Sequence, residues 1–303
     1  MAMPTTDDGM LKVVVVDMDG TFLNSSPVAP ISLRNRQLVS TLLDRGVTFA
    51  IATGRPAKAL QPFIDILSLD LVHTIVFNGA CLQRARAGKP AELIWQQTLP
   101  AKLAARILAL VRGPSLGLAL SYSTRDCAVA LVDSDAQRAQ LATYERLEGV
   151  SQDVVVDSID SLQAAAGDAA PLKIVGFSAD PEADAATARD ALQGEAVHVI
   201  AAEMHIEFLC DAVNKATALH KLCDVLGVGM SSVVAFGDGN NDAEMLAAVG
   251  LGCAMANARP AAKAAAAETL EWTNDEDGVS RRVEALLADR RLVGSAPPRA
   301  GGA

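Results

Sequence analysis

Apolar runs and amphipathic stretches alternate along the first third of the chain. Residues 11–16 are apolar and rich in β-branched side chains apart from Lys12, as expected for a strand that is buried on both faces. Ser32 precedes an amphipathic stretch that continues to residue 44, and serine is common at the start of a helix. A second apolar run follows at 47–52. This order of strand, helix and strand predicts a parallel sheet covered by helices on both faces.

The pattern changes after residue 81 and returns after residue 211. Residues 84–90 are typical of a polar turn, and the segment that follows mixes helix patterns with alternating strands. Its predicted helices are 101–111, 135–147 and 182–192, and its predicted strands are 92–98, 127–132, 172–177, 197–201 and 205–209. The predicted fold is α/β: a doubly wound parallel-sheet core at 1–82 and 211–303, with an α/β domain inserted at 83–210.

The composition fits a globular α/β protein and limits its partners. Half of the 303 residues are hydrophobic but only 4% are aromatic, so the core is expected to consist largely of alanine, valine and leucine. The net charge of −10 would repel nucleic acid and anionic membranes, and we expect neither as a partner. An anionic substrate would therefore need a local cationic site.

Neither a targeting segment nor a cluster of cysteine or histidine ligands is predicted. Residues 1–10 carry acidic side chains without an apolar segment, and no run approaches the roughly 18 apolar residues that a membrane span needs. We therefore expect a cytoplasmic protein. The five cysteines include no C-x-x-C pair and the four histidines lack ligand spacing, so neither a disulfide framework nor a zinc site is expected.

Two carboxylates follow the first predicted strand. Asp17 stands at its end and Asp19 two positions later, and open α/β sheets bind ligands at the carboxyl ends of their strands. An aspartate can attack a phosphoryl group that a divalent cation neutralises, while a second carboxyl group protonates the leaving oxygen. Gly20 would let the chain turn sharply, and Thr21 could order the loop. The alternative is that both aspartates only cap a turn.

Two further segments could bind phosphate. Thr53 and Gly54 follow the second predicted strand, where a hydroxyl and backbone N–H groups can bind phosphoryl oxygens, and Arg55 is a possible substrate contact. Alone, this segment is equally typical of an ordinary strand-to-helix turn. Lys215 opens a predicted helix, where its charge and the backbone N–H groups favour a phosphate. Alone, Lys215 is more typical of a solvated surface lysine.

A third acidic segment follows the predicted strand at 232–236 and contains Asp238 and Asp242. Oxygen ligands such as the carboxylates of Asp17 and Asp238 suit Mg²⁺. A dinucleotide site is the alternative explanation for the glycines of this segment. The G-x-G-x-x-G pattern, however, needs a glycine where Asp242 stands.

These motifs, in this order, resemble those of the haloacid dehalogenase superfamily and, within it, the Cof-type phosphatases. The resemblance covers nearly the whole chain. Besides the catalytic motifs, the segments that carry it are Asn78-Gly79-Ala80, Met255-Ala256-Asn257-Ala258 and Asn274-Asp275-Glu276-Asp277-Gly278-Val279. The resemblance implies a Rossmann-like core and a large α/β cap inserted between Thr53 and Lys215.

The resemblance also implies a role for each candidate residue. Asp17 would be the nucleophile and Asp19 the general acid and base. Mg²⁺ would be held by Asp17, Asp238 and the backbone carbonyl of Asp19, with Asp242 supporting the metal or Lys215. The residues that would bind the phosphoryl group are Thr53, Gly54, Lys215 and Asn241, and further possible substrate contacts are Arg55, Asn78 and Gly79.

The expected function is Mg²⁺-dependent hydrolysis of a phosphomonoester through an aspartyl-phosphate intermediate. The substrate would be a small phosphorylated metabolite, such as a sugar phosphate or a nucleotide-like cofactor. Two alternatives stay open. A phosphomutase such as phosphomannomutase shares the D-x-D-G-T opening and would return the phosphoryl group to the sugar. A non-catalytic sensor of phosphorylated metabolites would need no nucleophile, and the intact Asp17, Asp19 and Lys215 argue against it.

Overall fold

The computed structural model describes residues 9–26 and 29–294, which form two compact units. The first unit contains the described residues of 1–54, 61–94 and 214–303, and the second contains 55–60 and 95–213. Most of the acidic N-terminal segment, residues 1–8, lies outside the described residues. The predicted domain limits, 82/83 and 210/211, stay a proposal.

The described strands, in chain order, are β1 (Val13–Val16), β2 (Thr48–Ala52), β3 (Val72–Val76), β4 (Cys81–Arg86), β5 (Lys89–Gln96), β6 (Ala119–Ser123), β7 (Ala128–Leu131), β8 (Val154–Val156), β9 (Lys173–Phe177), β10 (Val197–Ala201), β11 (His205–Cys210), β12 (Val233–Gly237), β13 (Leu251–Ala254) and β14 (Glu268–Thr269). The α-helices are α1 (Leu33–Asp44), α2 (Ala57–Ile66), α3 (Ala101–Arg112), α4 (Asp135–Glu148), α5 (Ile159–Ala166), α6 (Pro181–Ala191), α7 (Lys215–Leu226), α8 (Ala243–Ala248), α9 (Pro260–Ala265) and α10 (Gly278–Ala288). None of the helices in the described ranges combines the length and apolarity that a membrane crossing requires.

The first unit is built on an eight-stranded sheet with the order β14-β13-β12-β1-β2-β3-β4-β5. β1 lies between β12 and β2 and is parallel to both, with Val13 opposite Val233 on one side and Thr48 on the other. All four β1 side chains are buried, as the apolar run predicts. The predicted α/β class is confirmed, and the carboxyl ends of β1, β2 and β12 lie at one edge of the sheet.

Two predictions are wrong at β4: the sheet is not parallel throughout, and residues 84–90 are not simply a turn. It pairs antiparallel with β3, with Arg84 opposite His73. Because Arg84 belongs to β4, only Ala87 and Gly88 separate β4 from β5. The polar residues are compatible with strands here because β5 is largely exposed at the end of the sheet.

The second unit contains a six-stranded sheet with the order β10-β11-β9-β6-β7-β8. Its neighbouring strands are antiparallel except for β7 and β8, which are parallel. The elements predicted for this unit correspond to α3, α4, α6, β7, β9, β10 and β11, whereas β6, β8 and α5 are absent from the prediction. The strand predicted at 92–98 corresponds to β5, which belongs to the sheet of the first unit instead. β6 lacks a clear apolar pattern because Ser121 and Ser123 lie among its buried residues. Ser121 is accommodated by a hydrogen bond of 2.7 Å from its Oγ to Gln152 Oε1.

Candidate active site

Three strands of the first unit bring candidate residues to one edge of its sheet. Asp17 follows β1, Thr53 follows β2 and Asp238 follows β12. Because these strands are parallel neighbours, the loops at their carboxyl ends lie side by side. Lys215 at the start of α7 and Asp242 just before α8 are bonded to this group.

Lys215 forms buried ion pairs with two aspartates. Its Nζ donates hydrogen bonds to Asp17 Oδ1 and to Asp242 Oδ1, both at 2.7 Å. The side chains of Lys215 and Asp242 have no exposed surface, and that of Asp17 is 9% exposed. Burial alone would lower the pKa of Lys215, but the two carboxylates raise it above its usual value, so the side chain stays an ammonium. The alternative of a solvated surface lysine is therefore wrong.

Burial also changes the proton affinity of the predicted nucleophile. Removal from water raises the pKa of Asp17 well above its usual value, and the ammonium of Lys215 acts in the opposite direction. Repulsion by Asp242 and Asp238 adds to the increase. A divalent cation beside Asp17 would offset both burial and repulsion and would keep the carboxylate ionised.

The N-terminus of α7, which carries Lys215, is fixed from two sides. Asn214 caps the helix, because its Oδ1 accepts a hydrogen bond from the N–H of Thr217 at 2.8 Å. Gly79 packs on the Asn214 backbone so closely that a Cβ would collide with its carbonyl group. Gly79 also has a φ of 106°, a conformation that favours glycine. Its observed contact is with the helix end, and a substrate contact of Gly79 stays a prediction.

Asp238 faces the turn that follows the predicted nucleophile. Thr21 Oγ1 donates a hydrogen bond to Asp238 Oδ1 at 2.8 Å. Gly20, at a φ of 71°, lies against the same carboxylate, and a Cβ there would collide with it. Partial burial raises the pKa of Asp238 to about 6, with the Thr21 hydrogen bond opposing the rise and Asp242 adding to it.

Asp242 accepts hydrogen bonds on both of its carboxylate oxygens. Oδ1 accepts from Lys215, and Oδ2 accepts from the N–H groups of Asp238 at 3.0 Å and Gly239 at 2.8 Å. The carboxylate therefore connects the buried ammonium to the loop that carries Asp238. This arrangement suits the predicted supporting role of Asp242 toward Lys215 and toward the loop that carries Asp238.

The carboxylates at this edge fit a divalent cation. Asp17, Asp238 and Asp242 each offer an oxygen within 4.8 Å of the others, and the His, Cys, Asp and Glu side chains of the described ranges form no other such group. All of these donors are oxygens, the ligand type that Mg²⁺ prefers. Asp19 is exposed and its carboxylate is outside this group, so the predicted metal contact of Asp19 through its backbone carbonyl stays a prediction.

The other predicted phosphate-binding residues form a second connected group in the first unit. The N–H of Asn78 donates to the carbonyl oxygen of Thr53 at 3.0 Å, and Asn78 Oδ1 accepts from Asn241 Nδ2 at 2.8 Å. Gly54 lies against the same amide, where a Cβ would come within 2.9 Å of Asn78 Oδ1. Asn78 has a φ of 54°, which asparagine adopts more readily than most residues. Asn78 therefore connects the loop after β2 to Asn241.

Arg55 is placed differently from the other candidates. It belongs to the second compact unit, although Gly54 before it belongs to the first. Its guanidinium lies near Gly149 of the second unit. The predicted contact of Arg55 with substrate stays a prediction.

Sequence reasoning assigned no role to several asparagines of the first unit. Asn214 could have been found, because an asparagine directly before a predicted helix is a common cap. Asn257 and Asn274 lie in segments that resemble the family, but only the structure shows that their side chains bond to the turn after Asp17.

Most of the chain matches a known protein family. Residues 14–283 match the family described as haloacid dehalogenase-like hydrolase. The chain belongs to this family. The resemblance inferred from the sequence is thereby confirmed, and the chain is an enzyme of the haloacid dehalogenase-like hydrolases.

Curated relatives of this haloacid dehalogenase-like hydrolase are phosphatases. It is 27% identical over 279 residues to the 5-amino-6-(5-phospho-D-ribitylamino)uracil phosphatase YitU of Bacillus subtilis (strain 168), covering 89% of this chain and 95% of the relative. It is 29% identical over 261 residues to the HMP-PP phosphatase of Escherichia coli (strain K12 / DH10B), covering 84% of this chain and 88% of the relative.

Solved structures of haloacid dehalogenase-like hydrolases share the fold. One from B. subtilis superposes with a TM-score of 0.76 at 25% identity, covering 91% of this chain and 100% of that structure. Another, from Bacteroides thetaiotaomicron, gives a TM-score of 0.75 at 25% identity, covering 91% of this chain and 99% of that structure. The similarity therefore extends through nearly all of both structures.

Proposed function

We propose that the chain is a Mg²⁺-dependent phosphomonoester hydrolase that forms an aspartyl-phosphate intermediate. The observation that carries the proposal is the buried contact of Asp17 with Lys215, next to the half-buried carboxylate of Asp238. A nucleophilic oxygen, an ammonium and a cation-binding carboxylate then surround one position for a phosphoryl group. The ammonium of Lys215 is the local cationic group that an anionic substrate would need on a protein with a net negative charge.

The names of the relatives support the substrate class. The phosphatases of B. subtilis and E. coli are named for 5-amino-6-(5-phospho-D-ribitylamino)uracil and for HMP-PP. By analogy, we propose a small phosphorylated metabolite as substrate, either a sugar phosphate or a nucleotide-like cofactor. A cytoplasmic location belongs to the same proposal.

In the first step, an oxygen of Asp17 attacks the phosphorus atom, and the bond from phosphorus to the ester oxygen breaks. Asp19 donates a proton to the leaving oxygen, so that the alcohol departs uncharged. Lys215 and the backbone N–H groups after Thr53 balance charge on the transferred oxygens. Mg²⁺ held by Asp17 and Asp238, when bound, would neutralise further charge on the phosphoryl group.

In the second step, water attacks the phosphorus atom of the aspartyl phosphate. Asp19, now a carboxylate, takes a proton from this water. The bond between phosphorus and the Asp17 oxygen breaks, and inorganic phosphate leaves. Both carboxyl groups have then returned to their initial protonation states.

Replacement of the predicted nucleophile tests the mechanism. Asp17→Asn removes the attacking charge but keeps the shape of the side chain, so hydrolysis of 4-nitrophenyl phosphate should fall by at least about a thousandfold. Phosphate release measures turnover, and circular dichroism checks that the fold persists. Asp70→Asn changes an exposed aspartate of the same unit and should retain full activity. Turnover near the normal rate in Asp17→Asn would exclude the aspartyl-phosphate route.

The assay product separates the proposal from its alternatives. A phosphatase releases inorganic phosphate from a panel of phosphorylated metabolites, whereas a phosphomutase yields an isomeric sugar phosphate without net release. A sensor would bind members of the panel and release nothing.

A further inference from the structure

The turn that carries Asp19 is held by side-chain amides on three of its carbonyl groups. Asn257 Nδ2 donates to the carbonyl oxygen of Gly20 at 2.8 Å. Asn35 Nδ2 donates to that of Phe22 at 2.9 Å, and Asn274 Nδ2 donates to that of Leu23 at 2.8 Å. We call Asn35, Asn257 and Asn274 the asparagine clamp. Its members come from α1, from the loop after β13 and from the turn before α10.

The clamp is itself held together. Asn257 Oδ1 accepts a hydrogen bond from the N–H of Asn274 at 3.2 Å, and Ser280 Oγ donates to Asn35 Oδ1 at 2.5 Å. These contacts occupy the oxygen end of two amides while their nitrogen ends bind the turn, so each amide can satisfy its partners in only one orientation. Asn35, Asn274 and Ser280 are buried, whereas Asn257 is exposed.

The backbone of the turn has a conformation that needs support. Asp19 is extended, with φ of −75° and ψ of 127°, and Gly20 follows at φ of 71° and ψ of 1°. These backbone angles set the direction in which the exposed side chain of Asp19 leaves the turn. The Asn257 bond acts on the peptide group directly after this pair. The next residue, Thr21, is bonded to Asp238.

We infer that Asn257 is a positioning residue that, with the rest of the asparagine clamp, aligns Asp19 for proton transfer to the leaving oxygen. The inference rests on the proposed function, in which Asp19 is the general acid. A misplacement of about 1 Å between reacting groups can reduce a rate about a hundredfold, so a single backbone contact is sufficient to matter. Asn35 and Asn274 serve the same turn, but their burial ties them to the stability of the unit as well.

The test compares two substrates whose leaving groups differ in how much they need protonation by a general acid. Phenyl phosphate and 4-nitrophenyl phosphate have similar shapes, but phenolate is the poorer leaving group and depends more on protonation. The ratio of their kcat/KM values therefore reports on the protonating group during formation of the aspartyl phosphate. A role in stability alone would leave this ratio unchanged.

Asn257→Ala should lower kcat/KM for phenyl phosphate about tenfold and that for 4-nitrophenyl phosphate no more than about twofold. Asn257→Asp keeps an oxygen that can accept from Asn274 but places oxygen against the Gly20 carbonyl, and the same change in ratio is expected. The Mg²⁺ concentration for half-maximal activity of Asn257→Ala should stay within about twofold of the wild-type value. Ser25→Ala is the matched control, because it removes an exposed hydrogen bond to Asp275 just beyond the clamp.

An unchanged ratio in both Asn257 variants would overturn the inference, whatever happens to their thermal stability. This includes the case in which kcat/KM falls by the same factor on both substrates, since that result would show a general loosening of the site. Failure of the proposed function looks different: the wild-type protein would hydrolyse neither ester, or Asp17→Asn would hydrolyse both. In that case the inference falls together with the function on which it rests.

Discussion

Lys215 shows how strongly a single residue can depend on its neighbours in the fold. A buried lysine without partners would lose its proton, but Asp17 and Asp242 keep this one charged. The dependence is mutual, because the ammonium is also what allows two carboxylates to stay buried so near each other. In the proposed function, the same ammonium would both balance these buried carboxylates and bind the phosphoryl group.

Replacing this lysine tests that mutual dependence. Lys215→Met should reduce the free energy of unfolding by about 3–5 kcal/mol, because it leaves buried carboxylates without their counter-charge. It should also abolish measurable phosphate release. Urea unfolding followed by circular dichroism gives the stability change. Lys221→Met, an exposed lysine on the same helix, should change neither quantity appreciably. Equal stability of both variants would show that the buried pairs contribute little.

At the scale of elements, the loops after parallel strands bring together residues that are far apart in the sequence. This is why motif order and spacing were enough to predict that Asp17, Thr53 and Asp238 share one edge. The sequence pattern also predicts α1 with Ser32 as its cap. The structure agrees, because Ser32 Oγ accepts a hydrogen bond from the N–H of Asn35 at 3.0 Å. The close packing of Gly79 on the end of α7 has no such signal, because it depends on a contact between distant elements.

The packing of Gly79 gives a second prediction. Gly79→Ala should lower activity more than about tenfold, because the new Cβ would push the start of α7 away from Asp17. Gly88→Ala is the matched control: Gly88 has a φ of 63° but no atom within 4 Å of a Cβ. Both glycines have a positive φ, so both variants carry backbone strain, but only at Gly79 would the new Cβ also meet the Asn214 backbone. Similar activity in the two variants would contradict the prediction.

For the molecule as a whole, the sequence predicts the first unit better than the second. The apolar runs of β1, β2 and β12 are buried on both faces and stand out in the sequence. In the second unit, β8 has only three residues and α5 only eight, which is too short for a periodic pattern to be decisive. The asparagine clamp escapes prediction for another reason: short polar side chains indicate turns in general, and only tertiary structure shows which carbonyl groups they bind.

The acidic edge of the sheet leads to a prediction about metal and pH for the intact protein. EDTA should remove phosphatase activity and Mg²⁺ should restore it, because in the proposed reaction Asp17 and Asp238 would hold the cation that neutralises the phosphoryl group. Asp238 has a pKa of about 6, so protons compete with the metal below that pH and its apparent affinity should fall as the pH decreases. Titration of activity with Mg²⁺ at pH 5, 6 and 7 measures this. Full activity without any divalent ion would exclude the proposed metal role.

The pairing of β1 with β12 also determines when the site can form during synthesis. Val13 and Val233 are neighbours in the sheet but lie more than two hundred residues apart in the chain. A ribosome therefore completes the entire second unit before it makes the strand that brings Asp238 beside Asp17. Until β12 is made, one side of β1 has no partner strand in the nascent chain. Slow formation of contacts between such distant segments lengthens this interval further. Chaperones that shield exposed strand edges would be most useful to this protein during that interval.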